Sequence, residues 1–431
     1  MKKRSLFSVL ENFTTKQISK LNSLLDPSTY EHSEEAPEKQ IFAPTFALAL
    51  DIGSSKITAL VGRLDGKGMI EVLGFGEAPS EGLIRGSIAN ISKISEGIKR
   101  AVTLATTQAK IDIRDVHTSY SGTITNLIEH GVLLREDPNA EITEDDVSRL
   151  RNEMHNAMLP AGERLIYMQA KPYTVDDEPG IKEPVGMSGQ RMEADFRLVS
   201  ASITPIDHLR KCCTQANLNL ADIIPAAICS AEAVICAEEM EEGIAVINIG
   251  AAVTSIAIYN KGNLIHTENF PLGGNNISTD IRDFTGLPLR QAEALKNQFG
   301  KAIPIDIPDT EVIDVNILNG TKIKHVSRKD LCEVIKSRTE ELIAMAYAIV
   351  NEALKGDKLI FGIVFTGGVT ALPNFIDLAK AVTSEQCHLG DTTSHFAPRN
   401  VISEQAFKKL NAPGNATVAG LLKIALKGPI R

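Results

Sequence analysis

No stretch of this chain approaches eighteen consecutive apolar residues, so no membrane-spanning helix is expected. Cysteine is scarce, with six in 431 residues. Cys212 and Cys213 are neighbours, Cys229, Cys236, Cys332 and Cys387 are scattered, and no C-x-x-C or metal-ligand spacing occurs. Reduced thiols in a cytoplasm are the expectation. A basic surplus is also missing: the net charge is −9, which gives no support for nucleic-acid binding. The opening Met-Lys-Lys-Arg leads into an apolar stretch broken by Glu11 and Asn12, with no small-residue cleavage site, so no signal peptide is expected. Low-complexity tracts and short solenoid repeats are absent. What remains, 43% hydrophobic and 23% charged residues, fits an ordinary globular protein long enough for more than one core.

One motif occurs twice. The first copy runs Ala47-Leu-Ala-Leu-Asp51-Ile-Gly53-Ser54-Ser55-Lys56 into a second apolar run ending at Val61. The second runs Ile244-Ala-Val-Ile-Asn248-Ile-Gly250-Ala-Ala-Val-Thr254 into a run ending at Tyr259. Each is strand, tight turn, strand, followed by a hairpin-type turn at Asp65–Gly68 or Asn260–Asn263. Two units built alike predict a duplicated domain pair whose turns face each other and grip the phosphates of one nucleotide. The first turn keeps an acid able to hold a metal, and the second has lost it. Around these units, strands alternate with helices, which points to an α/β architecture. A helix is predicted near 91–109, a strand around 116–120, and helix starts at Thr143 (with Asp146 three residues on) and at Ser327.

The chemistry of the segments is consistent with a nucleotide. Gly53 lets phosphate approach the backbone, and Ser54, Ser55 and Lys56 offer donors. Asp51 at a strand end can hold Mg²⁺ through its waters. Thr366-Gly367-Gly368-Val-Thr370 ends an apolar strand in a turn open to a purine, and Glu293 and Lys296 share a helix face where they would embrace a ribose or form a plain ion pair. A hairpin turn, a packing turn and a surface pair are the ordinary readings of each segment taken alone.

In this order the segments resemble the actin-like ATPase superfamily, and within it the FtsA family of bacterial cell-division proteins, over about residues 45–427. The runs that carry the resemblance are Gly82-Leu-Ile-Arg85-Gly86, Pro184-Val-Gly186-Met-Ser-Gly189-Gln-Arg191, Gly273-Gly274-Asn-Asn-Ile-Ser-Thr-Asp280-Ile281 and Ala292-Glu-Ala-Leu-Lys296-Asn-Gln-Phe-Gly300. The resemblance implies an actin-like fold, two ribonuclease-H-like domains around a nucleotide cleft, with an FtsA-type inserted subdomain 1C. It places 1A over 45–84, 1C over 85–165 and the rest of 1A over 166–204. Subdomain 2A then takes 205–284, 2B takes 285–351, 2A resumes over 352–412, and the helix at 413–431 returns to 1A. It further implies ATP and Mg²⁺ as cofactors, with phosphates on Asp51, Gly53, Ser54, Ser55, Lys56, Gly250 and Thr254. Adenosine would lie on Glu293, Lys296, Gly367, Gly368 and Thr370, and the metal on Asp51. The implied partners are the FtsZ C-terminal tail on Lys329, Lys336 and Arg338, further copies of the chain in a polymer, other division proteins through 1C, and the membrane. The implied location is the cytoplasmic side of the inner membrane, peripheral, at the division site.

The sequence departs from the family in two places. Where the second phosphate turn usually reads D-I-G-G-G-T-T-D, both acids and two glycines are replaced here by Asn248, Ser255, Ala251 and Ala252. A Glu often found before the interdomain helix falls on Ile224 or Ala226. Weak or absent hydrolysis is therefore expected, because phosphoryl transfer rests on metal, positioned water and preorganised charge. FtsA proteins also end in an amphipathic anchor, whereas this sequence stops soon after its last helix, so it is truncated or the anchor lies elsewhere. Residues 1–25 are the candidate. Leu6, Phe7, Leu10, Phe13, Ile18, Leu21, Leu24 and Leu25 fall in one helical arc beside basic residues, an interfacial pattern that would equally suit docking on protein. Residues 26–44 read as an acidic linker. Competing readings are a PilM-like pilus-assembly protein of the same fold and a DnaK-type chaperone ATPase; the P-V-G-M-x-G-x-R run favours FtsA.

Overall fold

The computed structural model describes residues 46–427 except 85, 138, 318–321, 393, 395 and 398–401. The expected helix at 1–25, with its eight membrane-facing residues, and the linker at 26–44 lie outside the described residues.

The first sheet is built from strands β1 (Ala47–Ile52), β2 (Lys56–Leu64) and β3 (Ile70–Pro79). A small pair follows, β4 (Leu83–Ile84) and β5 (Ser87–Ile88), then helix α1 (Ile91–Ala109) and strand β6 (Asp115–Tyr120). Helix α1 starts where Asn90 accepts a hydrogen bond from the Lys93 amide, and it ends at Lys110 in the left-handed region. Its stripe of Ile94, Ile98, Ala101 and Ala105 packs on Leu48, Leu50 and Ile57.

Next come β7 (Thr125–Leu134), α2 (Glu144–His155), β8 (Glu163–Ala170), β9 (Tyr173–Val175), β10 (Glu178–Ile181) and β11 (Arg191–Ser202). These strands form a sheet of their own, ordered β10-β9-β11-β7 with β8 also on β11. Thr143 and Asp146 close a capping box at the start of α2, and Leu150 packs on Met192, Phe196 and Leu198. The chain then returns through α3 (Ile203–Gln215) to β12 (Asn219–Pro225), which pairs parallel with β6.

This corrects the expected boundaries. The inserted unit spans 125–202, not 85–165, since α1 and β6 belong to the first sheet. Residues 166–204, assigned to the first half, lie mostly in the inserted sheet, and α3 and β12, assigned to the second half, close the first. The cause is physical: a strand parallel to β1, such as β6, needs a long crossover, which is usually a helix, and here α1 is that crossover and not the start of an insertion.

The second half follows with α4 (Ala226–Val234), α5 (Ala237–Glu242), β13 (Ile244–Ile249), β14 (Thr254–Asn260), β15 (Asn263–Phe270), α6 (Gly274–Thr285) and α7 (Leu289–Phe299). Then come β16 (Val312–Ile317), β17 (Lys322–Ser327), α8 (Arg328–Leu354), β18 (Ile363–Thr366), α9 (Phe375–Thr383), β19 (Cys387–Leu389), α10 (Glu404–Leu410) and α11 (Ala416–Lys427).

The two main sheets repeat one plan: β3-β2-β1-β6-β12 in the first and β15-β14-β13-β18-β19 in the second. In both, the central strand is antiparallel to its hairpin partner and parallel to the neighbour beyond. The registers match as well, with Asp51 opposite Thr58 and Asn248 opposite Ser255. Helices α4 and α11 lie together, and one apolar core joins them to Ala47, Ala49 and Leu60 of the first sheet and Val246 and Ala257 of the second.

Candidate functional site

Repeating the plan brings the two hairpin turns to one cleft of about 370 Å³, within the range of small-ligand pockets. The turns have the same shape. A Cβ on Gly53 would lie 2.9 Å from the Lys56 carbonyl oxygen, and one on Gly250 would lie 2.9 Å from that of Val253. Both glycines line the cleft with Ser54, Ser55 and Lys56.

Asp51 is partly exposed to the cleft, and its Oδ1 accepts a 2.5 Å hydrogen bond from Ser119 Oγ. Burial pushes its carboxyl above the usual range, against the opposing pull of Ser119 and the Lys56 charge. Lys56 Nζ lies 2.7 Å from Glu77 Oε1 and 2.7 Å from Asn415 Oδ1. Asn415 closes a short turn after α10, so this ammonium ties the first turn to the last helix–turn of the chain. Lys409 meets the other Glu77 oxygen at 3.6 Å. Ser119, Glu77 and Asn415 were not singled out from sequence.

The second turn differs in its bonding. Asn248 Nδ2 donates to Ser230 Oγ on α4 and to Thr417 Oγ1 on α11, both at 2.8 Å. The amide therefore joins the two helices that run beneath the cleft. The Gly250 and Ala251 carbonyls accept from the amides of Gly274 and Asn275, at 2.9 and 2.6 Å, so the turn is fastened to the start of α6. Of the two positions where the family often places a glutamate, Ala226 lines the cleft, whereas Ile224 lines a different groove.

Across the cleft, Lys296 is buried, and its Nζ donates to the Gly274 carbonyl (3.0 Å), Ser278 Oγ (2.9 Å) and Glu293 Oε2 (2.7 Å). Ser278 also donates to Glu293. Burial raises the Glu293 carboxyl, but Lys296 and Ser278 outweigh it and hold the group below its ordinary range. Glu293 thus presents an acceptor to the cleft while Lys296 clamps α6 to α7. Gly367 has φ +94°, and a Cβ there would sit 2.3 Å from the Ile249 carbonyl oxygen, so only glycine fits. Gly368 is open, with nothing within 4 Å of its absent Cβ.

Two expected site residues turn away. Thr254 is buried and donates to the Leu272 carbonyl, and Thr370 is buried and donates to the Gly367 carbonyl. Ser255, opposite Asn248, lines the cleft instead of Thr254. The basic residues of α8 lie away from the cleft and already have partners. Lys329 is 2.5 Å from Asp309, Lys336 is 3.7 Å from Glu340, and Arg338 contacts Asp280 at 2.5 and 3.0 Å.

The donor set fits a hydrated Mg²⁺ at Asp51, since Mg²⁺ keeps several waters and needs only one or two carboxylates. No cluster of three or more His, Cys, Asp or Glu suited to a metal occurs among the described residues, which leaves no preformed all-protein cage. No helix among them is long and apolar enough to cross a membrane.

Two stretches match known protein families. Residues 122–200 match the SHS2 domain inserted in FtsA, and residues 245–420 match cell division protein FtsA. Cell division protein FtsA of Pseudomonas aeruginosa is 31% identical over 344 residues, covering 80% of this chain and 82% of that protein. The FtsA of Neisseria meningitidis is 30% identical over 382 residues, covering 88% and 89%. That of Bacillus subtilis is 29% identical over 339 residues, covering 78% and 76%. Among solved structures, a chain of the PilM-PilN type IV pilus biogenesis complex aligns with TM-score 0.60 at 14% identity, covering 88% of this chain and 98% of that one. MreB5 of Spiroplasma citri bound to ADP aligns with TM-score 0.50 at 13% identity, covering 89% and 96%. At such identities the structural likeness speaks for the actin-like fold alone.

Proposed function

The chain belongs to the cell division protein FtsA family, and from that premise we propose that it is an actin-fold scaffold of the division ring that holds Mg²⁺–ATP with little or no turnover. The observation that carries this reading is the pair of matching turns on one cleft, with an acid in only one of them. Bound Mg²⁺ would neutralise phosphate charge. Asp51 would hold the metal through water, and the Gly53–Lys56 turn would cradle phosphate oxygens with Gly250 opposite. Lys56 exchanges Glu77 and Asn415 for phosphate. Gly367 and Gly368 admit the purine, and Glu293 accepts from a ribose hydroxyl. Asn248 brings no charge, its amide protons are taken up by Ser230 and Thr417, and Ala226 cannot position a water.

Calorimetry tests this directly. The protein should bind ATP in Mg²⁺, and Asp51→Ala should weaken that binding at least about tenfold, the loss of roughly 1.4 kcal/mol expected for one charge-assisted contact. Absence of ATP binding by the intact protein, or steady-state hydrolysis above that of relatives with both acids, defeats the reading.

The same proposal includes binding of the FtsZ C-terminal tail on the α8 side, assembly with further copies of the chain, contact with other division proteins through the inserted unit, and peripheral attachment at the division site through residues 1–25. Arg338 is a poor probe of the tail site, because its guanidinium braces α8 against Asp280 on α6. Lys329→Glu with Lys336→Glu should weaken an FtsZ tail peptide by about fivefold, since exposed charges contribute up to ~1 kcal/mol each. Unchanged affinity in a fluorescence-anisotropy titration moves the tail site off this helix.

A further inference from the structure

The inserted sheet meets the first sheet along a groove of about 520 Å³ that shares no lining residue with the nucleotide cleft. One wall is the side of α2 carrying Ser148, Arg151, Asn152 and His155, spaced i, i+3, i+4 and i+7. Arg164 at the start of β8 and Arg210 on α3 face it, and Leu220, Ile224 and Ile424 supply apolar surface. Three arginines thus line one groove of a chain whose net charge is −9.

Their partners are few. Arg151 Nε is buried without a hydrogen-bond partner, and no carboxylate among the described residues forms an ion pair with Arg151 or Arg210. Arg164 approaches Asp207 only at 3.9 Å. The one acid lining the groove is Asp222, whose Oδ1 accepts from the Ile223 amide at 2.8 Å. Arginines with so few carboxylate partners leave guanidinium donors for an anion in the groove.

We propose that this groove binds a multiply charged phosphate-type anion, either free or carried on a small organic molecule. Guanidinium forks match phosphate oxygens, and each takes two of them. A single carboxylate has too few oxygens to engage three forks and the donors of Asn152 and His155, whereas a diphosphate has enough. The apolar side of the groove suits an organic body on the phosphate. Because α2 belongs to the inserted unit and Arg210 to the first sheet's α3, the bound anion pins one against the other.

The test is calorimetric titration of the full chain with inorganic pyrophosphate at low ionic strength. One site dependent on Arg151 and Arg210 is expected, apart from any binding in the nucleotide cleft, which Lys56→Gln weakens. Arg151→Gln with Arg210→Gln should weaken it at least about tenfold, and the exposed Arg210→Gln alone by several-fold. Lys56→Gln, in the nucleotide cleft, should leave it unchanged. A phosphate monoester with an aromatic body, binding more tightly than pyrophosphate with the same arginine dependence, identifies an organic ligand; equal or weaker binding identifies the free anion. No binding at millimolar pyrophosphate, binding indifferent to Arg151 and Arg210, or loss of the site in Lys56→Gln overturns the proposal. Tighter, arginine-dependent binding of an oligoglutamate peptide overturns it in favour of a protein partner.

Discussion

Gly420→Ala is expected to destabilise the protein by about 3 kcal/mol, although alanine is the better helix former by about 1 kcal/mol. The sign follows from contact. Gly420 lies within α11 where that helix crosses α4, and a Cβ there would sit 1.7 Å from the Cys229 carbonyl oxygen and 2.9 Å from the Ala233 nitrogen. Both are backbone atoms of a helix buried along its length, so neither rotates aside. The methyl must push the helices apart, and the core that joins both halves through α4 and α11 opens with them. Scanning calorimetry should show a lowered transition, and affinity for Mg²⁺–ATP should fall in the same variant. A variant as stable as the parent would show that the helices are not in contact.

Arg135→Ala is expected to cost about 3 kcal/mol within the inserted unit, because it leaves the buried Asp146 carboxylate without its nearest cation and three carbonyls without their donor. The Arg135 side chain is 8% exposed. Its Nη1 donates to the Ala140 and Gly189 carbonyls at 2.7 and 2.8 Å, and Nη2 to the Glu141 carbonyl at 2.7 Å. Its Nε lies 3.3 Å from Asp146 Oδ2, in the capping box of α2. Arg135→Lys should rescue little, since an ammonium cannot reproduce the fork. The Asp146 carboxyl is held below its ordinary value by the Thr143 amide first, with Arg135 and Arg149 assisting. A depressed carboxylate adds stability above its unfolded pKa and loses it as pH falls through the folded value. The variant should therefore show a shallower acid-side loss of stability as well as a lower plateau. Hydrogen exchange of residues 125–202 reads the local effect, and protection equal to the parent's contradicts it.

The run Pro184–Arg191, which carries much of the family resemblance, has the same structural role. The Ile142 amide donates to the Met187 carbonyl and the Gly186 amide to the Ile142 carbonyl, at 2.7 and 2.9 Å, closing the start of α2 from outside. A motif specific to a family is here a packing device, and none of its residues lines the cleft.

What the sequence made legible was local. The stripe of α1, the caps at Thr143 and Ser327, and the repeated strand–turn–strand pattern all follow from spacing. What it hid was either distant or a matter of one residue. Asp51 meets Ser119 68 positions away and Lys56 meets Asn415 359 positions away, and no periodicity carries such pairs. Thr254 was expected in the turn, but β14 begins there, so strand alternation directs Thr254 to the Leu272 carbonyl and Ser255 toward the cleft. The inserted unit was displaced because its bounds were carried over from the family resemblance, and nothing in the local sequence says which sheet β6 or β8 joins.

The amide of Asn248 has one more consequence. An acid at that position would change its interactions with the state of any metal and phosphates held in the cleft, and so would work as a timer. A neutral amide riveted to Ser230 and Thr417 reports no such change. A filament of such subunits would have no internal clock: old and new subunits would be alike, and its lifetime would be set from outside, by concentration or by partners at its surface.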